Sequence, residues 1–101
     1  MTLGSGTAGA LSLDLRPRLS PKTKLRLDPK TGKYILLYPE KGLLLNATGA
    51  AILKRCTGDQ TISAIIDGLA QDFVQDAAPL QEEVLRFLQS LVERGLLRIE
   101  P

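Results

Sequence analysis

Side chains able to do covalent or acid–base chemistry are few in this sequence. It has one cysteine, Cys56, and no histidine, so the commonest general base and metal ligand is absent. A single thiol can neither build a structural zinc site nor hold an iron–sulfur cluster by itself. Eleven Asp and Glu residues are present, but none falls in an acid/base constellation. Neither a GxxxxGK(S/T) phosphate loop nor a GxSxG nucleophile elbow occurs. The inventory predicts a protein that is not an enzyme and carries no cofactor or metal. What remains is backbone chemistry. The stretch Tyr38 to Gly49, YPEKGLLLNATG, holds three adjacent leucines. Neighbouring side chains of a strand point to opposite faces, so at least one of Leu43, Leu44 and Leu45 faces away from the other two. If these leucines form an edge strand, they present unpaired N–H and C=O groups, and the run contains none of the charges or prolines that usually blunt such an edge. Lys41 and Gly42 stand only at its entrance. An edge of this kind accepts an incoming peptide strand.

The elements that must position this edge follow from local patterns. Residues 1–15 are small or apolar and read as a disordered arm or linker, and residues 16–101 as one domain. Arg16-Pro17-Arg18-Leu19-Ser20-Pro21 is expected to be an extended lead-in over the surface, because its prolines disfavour helix and central strand. Lys24-Leu25-Arg26-Leu27 alternates as a strand with one wet face. Asp28-Pro29-Lys30-Thr31-Gly32 is turn chemistry. Lys33 to Tyr38 (KYILLY) reads as a central strand, and Leu43 to Leu45 as the third strand of an antiparallel meander. Asn46 is a candidate N-cap for a helix running to about Cys56, and Thr61 opens the next, whose Ile62, Ile65, Ile66, Leu69 and Phe73 recur at helical spacing. Pro79 lies near the start of a third helix, and Arg94-Gly95 near its end. A tail over Leu96 to Ile99 packs against or pairs with the sheet. The fold class expected is α+β, winged-helix-like: a three-stranded antiparallel sheet followed by three helices.

On the third helix, Leu80, Val84, Phe87, Leu88 and Leu91 form one apolar side, with Leu85, Val92 and Leu96 on a shoulder beside it. That shoulder is either core or one wall of a groove. From Asp14 to Lys41 there are eight Lys/Arg against three Asp/Glu; from Gly42 to Pro101 there are five against eight. A winged-helix-like domain raises nucleic-acid binding as the alternative function. Against it, the third helix carries Glu82, Glu83 and Glu93 against Arg86 and Arg94, the wrong balance for a groove lined by phosphates. No apolar run approaches the roughly 20 residues of a membrane span, and no secretory signal opens the chain. The lone cysteine suits a reducing compartment, so a cytoplasmic protein is expected.

From Arg16-Pro17-Arg18-Leu19 through YPEKGLLLNATG, Ala51-Ile52-Leu53, Cys56-Thr57-Gly58 and Thr61-Ile62-Ser63-Ala64-Ile65, the sequence resembles the PqqD family, peptide chaperones of pyrroloquinoline quinone biosynthesis. That family's pattern is an L-Y-P-E-G-like turn, L-x-L-N, a small-residue helix and a C-D-G close. Here Lys41 is an addition or replacement in the turn, and Thr57 stands where Asp is usual. The resemblance implies a compact recognition element for ribosomally made peptides. It implies that the precursor peptide PqqA is bound and delivered to the radical SAM enzyme PqqE, and that fusion to or association with the quinone-forming enzyme PqqC is possible, with the small-residue arm as linker. It implies a peptide strand added beside the third β-strand, at Leu43, Leu44, Leu45 and Asn46. On the helix side the wheel selects Leu85, Leu88 and Val92, with Arg86 as the partner of an acidic peptide side chain.

Overall fold

The computed structural model describes residues 11–39 and 41–100. In chain order the elements are β1 (Arg16–Leu19), β2 (Lys24–Asp28), β3 (Lys33–Tyr38), β4 (Lys41–Leu44), α1 (Ala47–Lys54), α2 (Ile62–Phe73), α3 (Ala77–Glu93) and β5 (Leu97–Glu100). Strands β2, β3 and β4 form an antiparallel sheet in that order, with β4 at one edge. The α+β architecture of a three-stranded meander and three helices is as expected.

The β2–β3 turn closes by side-chain chemistry. Asp28 accepts from the Lys30 N–H at 3.0 Å and from the Thr31 hydroxyl at 3.1 Å, its carbonyl accepts from Gly32 N–H at 2.8 Å, and Gly32 takes the positive φ of 72° that favours glycine. The helix starts are equally local. The Asn46 side chain accepts from Gly49 N–H at 2.7 Å, and the Thr61 hydroxyl from Ala64 N–H at 3.1 Å.

Three features depart from the sequence expectation. The third strand runs from Lys41 to Leu44, so Lys41 and Gly42, expected in the turn, belong to it and Leu45 follows it. The lead-in is a strand: β1 pairs antiparallel with β5, from Arg16 opposite Glu100 to Leu19 opposite Leu97. The C-terminal tail therefore closes a separate two-stranded sheet and does not extend the three-stranded one. Pro17 turns its carbonyl away from β5, where it accepts from Gly58 N–H at 3.0 Å, so its missing N–H removes no β1–β5 bond. Residues 1–10 of the expected arm lie outside the described residues, but residues 11–15 are built into the domain. Leu11, Leu13 and Leu15 pack against the core. The carbonyls of Leu15 and Leu13 accept from the N–H groups of Ile62 and Ser63 at 2.9 and 3.0 Å. These are donors that the first turn of a helix cannot satisfy internally.

The core lies between the sheet and the helices. It takes Leu36 and Leu45 from the sheet side, Ile52, Leu53 and Cys56 from α1 and its exit, the Ile62-Ile65-Ile66-Leu69 stripe of α2, and Leu80, Val84, Leu88 and Leu91 of α3. Burial pushes the Cys56 thiol up to about 12. Its Sγ lies 3.3 Å from the Ile52 carbonyl, to which the thiol donates. This is an inert packing cysteine.

Candidate functional site: an open strand edge beside α3

The three leucines part company. Leu45 is buried, Leu43 is half-buried against the core, and Leu44 points the other way with 55% of its surface exposed. Register decides which backbone groups are free. Leu43 lies opposite Leu36 and Leu44 opposite Ile35, and Leu45 N–H donates to the Tyr34 carbonyl at 2.9 Å. In an antiparallel ladder, residues alternate between exchanging hydrogen bonds with the partner strand and facing away from it. Residues 41, 43 and 45 therefore bond inward to β3. The N–H and C=O groups of Gly42 and Leu44 point outward, along the edge. The opposite edge, β2, carries Lys24, Arg26 and Asp28 in alternation, the usual defence of an exposed strand.

A furrow of about 180 Å³ runs between this edge and α3, lined by Leu43, Leu44, Leu45, Asn46, Gly49, Ile52, Glu83 and Phe87. It shares Glu83 and Phe87 with a wider groove of about 510 Å³ along α3, which adds Pro79, Glu82, Arg86 and Ser90. Gly49 keeps the floor low: a Cβ there would lie 3.1 Å from Asn46 Oδ1 and 3.5 Å from Phe87 Cζ. Asn46 both caps α1 and lines the furrow.

The structure thus brings Leu43, Leu44, Leu45 and Asn46 to one wall. On α3 it does not bring Leu85, Leu88 and Val92 there. Leu88 has no exposed surface, and Leu85 and Val92 pack against the core without lining either groove. At about 100° per residue, Glu83 and Phe87 lie on one flank of the Val84 stripe, and Leu85 and Val92 on the other. The helix turns the first flank toward β4. Arg86 sits in the wider groove, where its guanidinium is 3.6 Å from Glu82, both side chains being largely exposed. Phe87 was visible in the sequence as part of the apolar side, but nothing local separated a furrow-lining aromatic from a core one. A larger hollow of about 720 Å³ lies on the other side of α1, where Lys54 sits 4.1 Å from the Tyr34 ring centre and Arg55 pairs with Asp72 at 2.6 Å. Among the described residues no strand pairs with the outer side of β4, and this open edge lies at the smaller furrow, which decides the choice of site.

Among the described residues, no group of three or more His, Cys, Asp or Glu is placed to hold a metal ion. No described helix is long and apolar enough to cross a membrane.

Fold and furrow together define a small α+β domain whose sheet ends, among the described residues, in an unpaired strand edge beside a helix. The family model described as Coenzyme PQQ synthesis protein D (PqqD) matches residues 26–97. A PqqA binding protein of Rhodopseudomonas palustris (strain BisB5) is 37% identical over 82 residues, 81% of this chain and 80% of that protein. The Bifunctional coenzyme PQQ synthesis protein C/D of Methylorubrum extorquens is 33% identical over 81 residues, which are 80% of this chain and 22% of that protein. The solution NMR structure of the PqqD truncation of Methylobacterium extorquens PqqCD superposes with a TM-score of 0.76 at 33% identity, covering 89% of this chain and 96% of that one. That truncation is described as a functional and stand-alone RiPP recognition element. The chain belongs to the PqqD family.

Proposed function

We propose that this protein is a cytoplasmic, non-catalytic peptide chaperone of pyrroloquinoline quinone biosynthesis, which binds the precursor peptide PqqA by strand addition on β4 and presents it to the radical SAM enzyme PqqE. The observation that carries the reading is the pair of outward-facing residues, Gly42 and Leu44, beside a furrow walled by Phe87 and Glu83. The name of the relatives, PqqA binding protein, supports the choice of peptide. Two outward residues offer at most four backbone hydrogen bonds, together about 2–6 kcal/mol net. Micromolar affinity needs about 8 kcal/mol, and ordering the peptide costs about 2–5 kcal/mol. Peptide side chains filling the furrow must supply the difference, so the site reads sequence and not merely extended backbone.

The test is a titration of ¹⁵N-labelled protein with PqqA and, separately, with duplex DNA at moderate salt. PqqA is expected to shift the Gly42 and Leu44 amides, protect them from exchange, and move the ring environment of Phe87. Shifts confined to the DNA titration, or PqqA shifts remote from β4 and α3, would sink the proposal.

A further inference from the structure

The face of the three-stranded sheet turned away from the core carries a second feature. Paired residues share a face and successive residues alternate. Leu36 is fully buried, so its neighbours Ile35 and Leu37 lie on the outer face. Their cross-strand partners lie there too: Arg26 and Leu44 flank Ile35, while Lys24 and Gly42 flank Leu37. Leu37 exposes 37% of its surface, and Leu44 more. A Cβ on Gly42 would come within 3.3 Å of both Ile35 Cγ2 and Leu37 Cδ2. These two side chains close over the glycine and make one apolar strip that runs out to Leu44 at the edge. Lys24, Arg26 and Lys33 border the strip, and none of the three is ion-paired among the described residues. Asp28 is the one described carboxylate on these strands, and its oxygens are engaged within its own turn.

An exposed apolar strip bordered by cations complements a partner patch that is apolar and bordered by carboxylates. The strip is also continuous with the edge. A peptide strand added to β4 would send alternate side chains into the furrow and the others onto this outer face, beside Leu44. We infer that the outer face of the sheet, at Ile35, Leu37 and Leu44 with Lys24, Arg26 and Lys33 around them, docks the protein that acts on the bound peptide, through an apolar contact patch with an acidic border on that protein. The inference rests on the strand-addition reading. It accounts for presentation: the furrow holds half of the peptide's side chains while the docked partner meets the other half.

The probe is PqqE, titrated into PqqA-loaded protein. Two variants leave the furrow untouched: Lys24→Glu with Arg26→Glu, and Leu37→Ser. Each is expected to hold PqqA within about twofold of the unaltered protein and to bind PqqE at least about tenfold more weakly. In the unaltered protein, PqqE should broaden the Leu37 and Arg26 amides, and added salt should weaken the association. Undiminished PqqE affinity in a folded variant overturns the inference and leaves the peptide site standing, as does PqqE broadening restricted to the helices. Failure of the unaltered protein to bind PqqA overturns the peptide reading and this inference with it. Failure of the loaded protein to bind PqqE overturns the inference and the presentation step, and leaves peptide capture on β4 standing.

Discussion

Proline at position 44 isolates the open edge from everything else in the domain. The Leu44 N–H points away from β3, so Leu44→Pro removes no internal ladder bond. Edge strands tolerate proline where the lost N–H faces outward, and the Leu44 side chain is more than half exposed. The folded domain should therefore survive. A guest strand loses one backbone hydrogen bond, about 1 kcal/mol net, which is about fivefold in Kd. The ring, placed where the guest backbone approaches, adds to that. The matched control is Leu43→Pro. Leu43 bonds inward, so this change breaks the β3–β4 ladder and should cost folding stability of about 1–3 kcal/mol for the orphaned β3 carbonyl alone. Leu45→Pro has the same defect as a test, since the Leu45 N–H donates to Tyr34 and its side chain is core. The assay pairs fluorescence anisotropy of labelled PqqA with chemical denaturation of each variant. Unchanged PqqA affinity in a natively folded Leu44→Pro protein would refute the register argument and strand addition together.

Two further outcomes follow from the same geometry. Phe87→Ala should weaken PqqA binding by about 1–2 kcal/mol through lost apolar burial, whereas Leu85→Ala, on the other flank of α3, should lower stability without changing affinity in the folded protein; isothermal titration of both decides whether the flank assignment holds. Cys56 is raised from 9.0 to about 12 by burial, so the native state holds its thiol proton more tightly than the unfolded chain. The stabilisation is complete below pH 9 and is lost as pH rises toward 12. Denaturation midpoints should fall across that window, and a Cys56→Ala protein lacking this step is the comparison; identical pH profiles would contradict the burial.

Much of the local structure was written in short patterns. Asp28 with Gly32 makes a turn, and Asn46 and Thr61 make caps, because each acts through bonds to residues two to four positions away. The stripe of α2 was legible from its period. The alternation Leu11-Ser12-Leu13-Asp14-Leu15 was also present. It carried a packing signal that the small residues before it obscured, and the domain uses it to cover the start of α2.

The sequence by itself determined that this chain builds a β meander followed by three helices, and that a run of leucines falls at its third strand. Those follow from residue types and from interactions within a few residues. Only the tertiary structure decided that β1 closes on β5 from the far end of the chain, that Leu44 and not Leu43 faces outward, and that α3 turns Glu83 and Phe87 toward the edge. A wheel shows two flanks of equal standing, and a strand shows two faces. The choice between them depends on how helices and sheet pack against one another to bury the most apolar surface, and no local pattern encodes that sum.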